Sequence, residues 1–459
     1  MKKRRNGLQL SKRRQLKRNQ HSRSDRMFKR SSTVKPTHWK KNFYLFLTGQ
    51  FLSGITSMVV QYSIIWYLTK TTGSATVLSF AMLLGMLPMV LLSPFAGPLI
   101  DRWNKKVLLI VTDIIVAFFA LVLSIVGTIS ADFPLWLVFV SLLVRSVAQT
   151  FQIPTIQSIV PTMVPEEELT KINGQFSMVQ SANFIIAPAL GAVLYSVVPM
   201  NFLILLDILG AVFGVGLLLL VVIPKITSEG EPIHLLADTK FGFKTLFENK
   251  GLWYITIVVS VFLLLFMPAA SLYPLMTMNY FNGSVVQAGL VEVVYSIGML
   301  IGGAVISIFG NWKNRMNLIF FAYAVIGVTI GLSGLLPATN KGFIYFVLLN
   351  SIAGFATPYF NTLLMAMIQQ SYEPNVLGRV LGVLNSLMSI TGPIGLLFAG
   401  PLADKIGVEK MFVIAGVGAI VCGAINFMIP IARNYDKELQ KQLAKEKERE
   451  LEQSKNETF

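Results

Sequence analysis

Apolar residues run in long stretches along this chain, and polar residues gather between them. A helix needs ~20 mostly apolar residues to cross the hydrocarbon core of a bilayer. Between residues 43 and 432 twelve such stretches can be read, at about 43–68, 75–100, 107–129, 135–158, 172–197, 200–223, 252–277, 285–310, 316–336, 343–370, 377–400 and 411–431. Turn and charge signals separate them, among them Thr72-Gly73-Ser74, Asp101 to Lys106, Asn282-Gly283-Ser284, Glu373-Pro374-Asn375 and Asp404 to Lys410. The pattern predicts an all-α membrane protein with twelve transmembrane helices. Its longest polar interruption, 224–251, divides six stretches from six. Within it Phe241, Phe243, Leu246 and Phe247 are the candidates for the apolar face of a short surface helix.

Short segments recur in the two halves. Leu169-Thr170-Lys171-Ile172-Asn173-Gly174 returns as Leu377-Gly378-Arg379-Val380-Leu381-Gly382, and Gly73-Ser74 as Gly283-Ser284. Gly97-Pro98-Leu99-Ile100-Asp101-Arg102 closes the second stretch, and Gly400-Pro401-Leu402-Ala403-Asp404-Lys405 closes the eleventh. Counting spans puts those two ends on opposite sides of the membrane, as inverted three-helix repeats require. Duplication of this kind favours a transporter body over a receptor.

Composition agrees. The 459 residues are 54% hydrophobic and 14% charged, with a mean hydropathy of +0.63. So few charges cannot cover the surface of about three soluble domains. One cysteine and three histidines exclude a disulfide framework and CxxC or HExxH metal sites. No Gly-Lys dipeptide occurs, so a Walker A loop is absent. No catalytic constellation, cofactor site or metal site is expected.

The net charge of +16 is unevenly spread. Residues 1–42 carry 16 Lys/Arg against one acid, 43–432 carry 16 against 15, and 433–459 carry seven of each. The basicity is an arm suited to anionic membrane lipid rather than a nucleic-acid-binding fold. Met27 offers a second translation start with a shorter lead. The tail after Arg433 mixes Lys and Glu at helical spacing, as a solvated helix does. With the N-terminus inside, the inward loops hold eleven Lys/Arg and the outward loops four, which predicts both ends cytoplasmic.

Four charges lie within apolar stretches: Asp113, Arg145, Asp207 and Glu292. A charge at a helix centre costs about 2.5–3.5 kcal/mol on insertion scales, so each needs a partner or a use. Arg145 is near the midplane, and Asp113 on the preceding helix is a candidate partner. Arg145, Glu292, Asp113 and Asp207 are the candidates for proton coupling or for meeting a cationic substrate, with structural pairing or capping the other reading of Asp113 and Asp207. Gln50 and Gln61, with Asn350, Asn361 and Asn385, either line a cavity or join helices. Trp66, Tyr67, Met86, Met178, Phe184, Met267, Tyr273, Met299 and Met365 pack the bundle or face lipid, and a minority of them line an adaptable apolar pocket.

Two segments have further readings. Gly97, Asp101, Arg102, Lys105 and Lys106 form either a positive-inside loop or a conformational latch. Around Pro188 the small residues Ala187, Gly191 and Ala192 permit close helix approach. The first segment is close in spacing to the loop signature of the major facilitator superfamily. The second resembles the antiporter signature of drug exporters, with Asn183, Ala187 and Ala192 in place of glycines.

From about Trp39 to Pro430 the chain resembles the macrolide-efflux branch of that superfamily, in its drug:proton antiporter group. The resemblance rests on Leu68-Thr69, Thr72-Gly73-Ser74-Ala75, Val77-Leu78-Ser79, Asp101-Arg102 and Val164-Pro165-Glu166-Glu167 with Leu169-Thr170-Lys171. It continues in Asp207, Leu209-Gly210-Ala211, Tyr280-Phe281-Asn282-Gly283, Gly298 to Gly303, Ser333 to Pro337 and Leu377-Gly378-Arg379-Val380. It implies the major facilitator fold, two six-helix bundles at 43–223 and 252–432 joined by the cytoplasmic loop 224–251. It also implies secondary active export of bulky amphiphilic drugs across a bacterial plasma membrane, driven by protons. The alternatives are an exporter or flippase of another amphiphile, such as a lysophospholipid, and a non-pumping membrane sensor. The basic arm 1–42 and the charged tail 433–459 are appendages.

The topology is testable in a Cys422→Ser background. A single cysteine in the 282–284 turn should react with an impermeant maleimide in intact cells, and one in the 224–251 loop should not. The reverse labelling would overturn the orientation.

Overall fold

A computed structural model describes residues 39–130, 132–165, 168–223, 235–309 and 314–457. The basic arm before Trp39 lies outside them, as do 224–234 of the central loop and the cations Lys225 and Lys313. The described chain is helical almost throughout, and twelve of its helices are long and apolar enough to cross a membrane.

In the first half these are α1 (Trp39–Thr72), α2 (Ala75–Arg102), α3 (Lys105–Ile129), α4 (Leu135–Met163), α5 (Leu169–Val197) and α6 (Met200–Leu220), the last interrupted at Leu205. A short helix, α7 (Leu235–Glu248), follows. The second half holds α8 (Lys250–Tyr280), α9 (Val285–Phe309), α10 (Arg315–Ser333), α11 (Asn340–Ser371), α12 (Pro374–Ile406) and α13 (Val408–Met428). A single turn, α14 (Pro430–Arg433), leads into α15 (Tyr435–Glu457). Below, the terminal face is the membrane face at which α1 begins and α13 ends.

The breaks have local causes. Gly73 turns the chain after α1 with φ +59°, a conformation glycine adopts freely. Ser74, Asn104, Asn249 and Thr339 then cap α2, α3, α8 and α11 by accepting backbone N–H groups with their side chains. α8 bends at Leu272, four residues beyond Pro268, and finishes in a wider π turn, Met276–Tyr280. Within the spans, hydroxyls of Ser63, Thr69, Thr150 and Thr329 donate back to carbonyls of the preceding turn. No water is available there to satisfy them.

Each half packs around its own core. In the first, Leu68, Ala120, Leu123, Leu142 and Ile204 are buried together. In the second, ring contacts join Phe262, Tyr323 and Phe360 in one group and Phe346 and Phe412 in another. α9 crosses α11 where Gly298 and Gly302 meet the backbone of Ser351 and Phe355, leaving no room for a Cβ. This accounts for part of the glycine-rich run 298–303. Outside, apolar side chains such as Phe213, Leu220, Leu397 and Phe398 are exposed, as a lipid-facing surface requires.

The tail departs from a purely solvated helix. The first turn of α15 docks on the terminal face. Asp436 is fully buried and accepts hydrogen bonds from the backbone N–H and Nε of Arg315, at 2.6 and 2.8 Å. Gln370 accepts from the same guanidinium at 2.9 Å, and Tyr435 bonds Asn249 and Ser371. Arg315 is therefore buried and paired rather than a free loop cation. One cluster ties together the ends of α8, α10, α11 and α15.

Removing one partner of a buried pair strands the other charge, at a cost of about 3–5 kcal/mol. Asp436→Ala should lower the unfolding temperature of the detergent-solubilised protein by several degrees, and Lys441→Ala, at an exposed pair, should not. Equal melting of the two variants would remove this cluster from the fold's supports.

Candidate functional site

The halves meet along two seams, α2 with α12 and α5 with α9. Both are tight at the face opposite the termini. At α5–α9, a Cβ on Gly289 would lie 2.5 Å from the Ala192 Cβ and 3.1 Å from the Pro188 oxygen. Ala187, Pro188, Gly191 and Ala192 are all buried, with Gly191 against the Trp66 ring. The helix-5 segment thus serves as a packing surface between the halves. Toward the terminal face the seams part: Gly174, Gly378 and Gly382 have nothing near their Cβ positions, and Met89, Leu91 and Phe95 are exposed on α2.

Between the halves lies a cavity of about 530 Å³. That is within the range of small-molecule sites. Its wall reaches toward the terminal face at Gln50, Gln152 and Phe176, and the closed seams cover its other end. α1 lends Gln50, Ser53, Ser57 and Gln61, a polar stripe along one side of an apolar helix. α4 lends Arg145, Gln149 and Gln152, and α5 lends Gln180 and Asn183. Met58, Met82, Met86, Met267 and Phe184 supply soft apolar lining.

Arg145 and Asp207 are both buried and form an ion pair. Arg145 Nη1 donates to Asp207 Oδ1 at 3.1 Å and to Ser57 Oγ at 2.9 Å, and Nη2 bonds Asp207 Oδ2. Asp113, the partner expected from the adjacent helix, instead accepts from Gln152 at 2.6 Å. Helix heights explain the exchange. At 1.5 Å per residue, Asp113 lies about 12 Å from the terminal-face end of α3, and Arg145 about 15 Å from the opposite end of α4. Asp207 enters α6 from that same opposite end, so it meets Arg145. Gln152 is two turns further along α4 and meets Asp113.

Glu292 on α9 is the acid that the second half presents to the cavity. It makes no hydrogen bond or ion pair among the described residues. Tyr62, Tyr273 and Tyr295 are close enough to feel its charge. Tyr62 stacks on Trp66 with centroids 5.6 Å apart, and the Tyr295 hydroxyl is held by Thr357 at 3.0 Å. The result is a carboxylate among aromatic and methionine side chains, the environment that receives an organic cation.

The remaining candidates separate. Gln50 and Gln61 line the cavity; Asn350 is buried in the second half and donates to the Val291 carbonyl at 2.9 Å, joining α11 to α9. Asn361 and Asn385 are exposed away from the cavity. In the loop segment, the side chains of Gly97 and Asp101 lie outside the described residues. Arg102 is exposed, Lys105 reaches the Ser158 carbonyl, and Lys106 donates to Leu219 and Val221 at 3.0 and 2.8 Å, closing the C-terminus of α6. These lysines hold the first half together. Sequence reasoning missed Gln149, Gln152, Gln180 and Asn183 as lining; a polar spacing of 145, 149 and 152 on an apolar helix was the available signal. Among the described residues no cluster of His, Cys, Asp and Glu could hold a metal ion.

The comparisons with known proteins agree with this geometry. Residues 46–396 match the model of the Major Facilitator Superfamily. The chain is 38% identical over 398 residues to macrolide efflux protein A of Streptococcus pyogenes, covering 85% of this chain and 98% of that protein. It is 24% identical over 387 residues to the multidrug efflux pump Tap of Mycolicibacterium fortuitum, covering 81% and 91%. Among solved structures, a bacterial homologue of the iron transporter ferroportin in an inward-facing state aligns with a TM-score of 0.66 at 17% identity, over 84% of this chain and 97% of that one. A bacterial homologue of the lysosomal transporter Spinster, inward-facing and unoccupied, aligns with 0.62 at 14%, over 88% and 99%. A twelve-helix body with a cavity between two halves, matched over most of its length by these relatives, places the chain in the macrolide-efflux branch of the major facilitator superfamily.

Proposed function

We propose that this protein exports bulky amphiphilic cations of the macrolide type across a bacterial plasma membrane in exchange for protons, with both termini cytoplasmic. The observation that carries this reading is Glu292, a carboxylate without a cationic partner among the described residues, in a cavity lined by methionines, amides, Tyr62 and Phe184. An ionised carboxylate out of water is costly unless a counter-charge arrives. A drug ammonium or a proton each supplies it, and the two exclude one another at one carboxylate. Competition of that kind is the minimum needed for antiport.

The N-terminal half supports the same reading. Arg145 is neutralised by Asp207, and the Asp113 carboxylate, held by the uncharged Gln152 amide, leaves no net positive charge on this wall to oppose entry of a cation. The loop bias in Lys and Arg supports a cavity mouth on the cytoplasmic side, where a drug would be collected. Membrane lipid surrounds the exposed apolar belt. The energetics suffice: ~2.3 kcal/mol per charge per 100 mV sustains a gradient of roughly 50-fold for one electrogenic exchange. The names of the relatives support macrolides as the substrate class.

Expression in a pump-deleted host should raise the inhibitory concentration of fourteen-membered macrolides, and a protonophore should restore accumulation of labelled drug. Glu292→Gln keeps the side-chain shape and removes the charge. It should weaken binding of a cationic macrolide by about 10- to 100-fold, the value of a hydrogen bond to a charged group. If accumulation of macrolides is unaffected by expression but that of another amphiphile falls, the substrate class is wrong and the transporter reading stands.

Arg145→Ala should abolish export while folded protein persists in the membrane, because Asp207 is then left as an unpaired buried charge beside the cavity. Transport at the parental rate by Arg145→Ala would return the pair to a purely structural role.

A further inference from the structure

α12 ends at the face opposite the termini, and its last turns lie against the beginning of α2. Asp404 accepts three hydrogen bonds there, all from the other half of the protein: from the Ser74 hydroxyl at 2.9 Å, the Ala75 N–H at 2.6 Å and the Thr76 N–H at 2.9 Å. The first N–H groups of a helix have no partner within it and carry its positive end. A carboxylate from the other half therefore completes the start of α2.

One turn earlier on the same face of α12 lies Gly400. A Cβ built there would be 2.6 Å from the Thr76 Cα, 2.9 Å from the Ala75 oxygen and 3.0 Å from the Ser79 Cβ. Glycine is what allows the helices to approach closely enough for Asp404 to reach. A third contact adjoins them: Asn279, at the end of α8, donates to the Gly73 carbonyl at 3.4 Å. The same glycine-to-aspartate spacing closes α2 at the other membrane face, as Gly97 and Asp101, where the seam between the halves is open.

We propose that Asp404 and Gly400 are the positioning residues of transport at this face: a latch that holds the cavity shut here while it is open to the terminal face, and that breaks when the halves rock. The contact joins the halves through a few hydrogen bonds to one helix end and a close backbone approach. It can be made and lost as a unit without unpacking either half. Three charge-assisted hydrogen bonds favour the closed state, and solvation of the carboxylate and of the α2 end by water offsets them when the seam opens. Asp404 thereby sets the population of the two states, not the affinity of the cavity for its ligand. This inference needs alternating access alone and is independent of the substrate class.

The test uses Gln61→Cys, a cavity position, in a Cys422→Ser background, with an impermeant maleimide as the probe. The reagent is presented from the face opposite the termini in intact cells and from the terminal face in inverted vesicles. Asp404→Asn should raise labelling from the opposite face by about three- to tenfold and lower it from the terminal face. Gly400→Ala, which leaves Asp404 in place but wedges the helices apart, should do the same. Gly303→Ala, whose Cβ meets nothing within 4 Å, is the control and should leave both rates unchanged. An increase from both faces means general loosening and overturns the proposal, as does an unchanged rate from the opposite face in both variants. Should either variant fail to reach the membrane, the other decides alone, because they act on separate atoms of the same contact. Drug export plays no part in the readout, so failure here is distinct from failure of the proposed substrate.

Discussion

Hydrocarbon offers no hydrogen bonds, and this constraint shapes every level of the molecule. It makes the chain helical, since only a helix satisfies its own backbone within one crossing. It turns serine and threonine hydroxyls back onto the preceding turn. It makes an unpartnered charge in a span costly, which is how Arg145 comes to face Asp207 and Ser57. Where lipid gives way to the interface, the constraint relaxes and charges are spent on helix ends instead. Lys106 closes the end of α6, Asn104 the start of α3, and Asp436 the start of α10 through Arg315.

The halves nonetheless differ in how they meet that demand. At the cavity the first half presents an ion pair, an acid on an amide, and further glutamines along α1, α4 and α5. The second half is packed by rings, and at the cavity it presents Met267, Ala270, Leu396, the Ser271 hydroxyl and one carboxylate. On the proposed reading this asymmetry divides the work. The first half offers adaptable hydrogen-bonding groups to whatever hydroxyls or carbonyls a large ligand carries. The second half supplies the charge that selects a cation.

Much of the fold was legible because the bilayer enforces length. Twelve apolar stretches became twelve spans, with ends displaced by a few residues where Trp39 or Met163 extends a helix into the interface. The four charges within the apolar spans were legible too, for the same reason. Their pairing was not. Which acid reaches Arg145 depends on where antiparallel helices start relative to one another, and hydropathy fixes that only to within a turn or more. Asp113 and Asp207 differ by that margin. The role of Pro188 and its small neighbours was similarly underdetermined: small residues announce a close approach, and only the structure shows that Gly289 of the other half makes it.

Asp404 marks a different limit. The repeat of Gly97 to Arg102 in Gly400 to Lys405 stands in the sequence, yet repetition says nothing about what an aspartate touches. The same pattern lies at a tight seam on one face and at the parted end of α2 on the other, as the proposed rocking of the halves requires. A sequence motif of this sort specifies a contact available in one state, whereas a motif such as Arg145–Asp207 lies within one half and is compatible with both. Contacts inside a half set what the body is. On the proposed reading, contacts between halves set which way it faces, and a few hydrogen bonds to one helix end are weak enough beside the cores to be made and broken as the halves move.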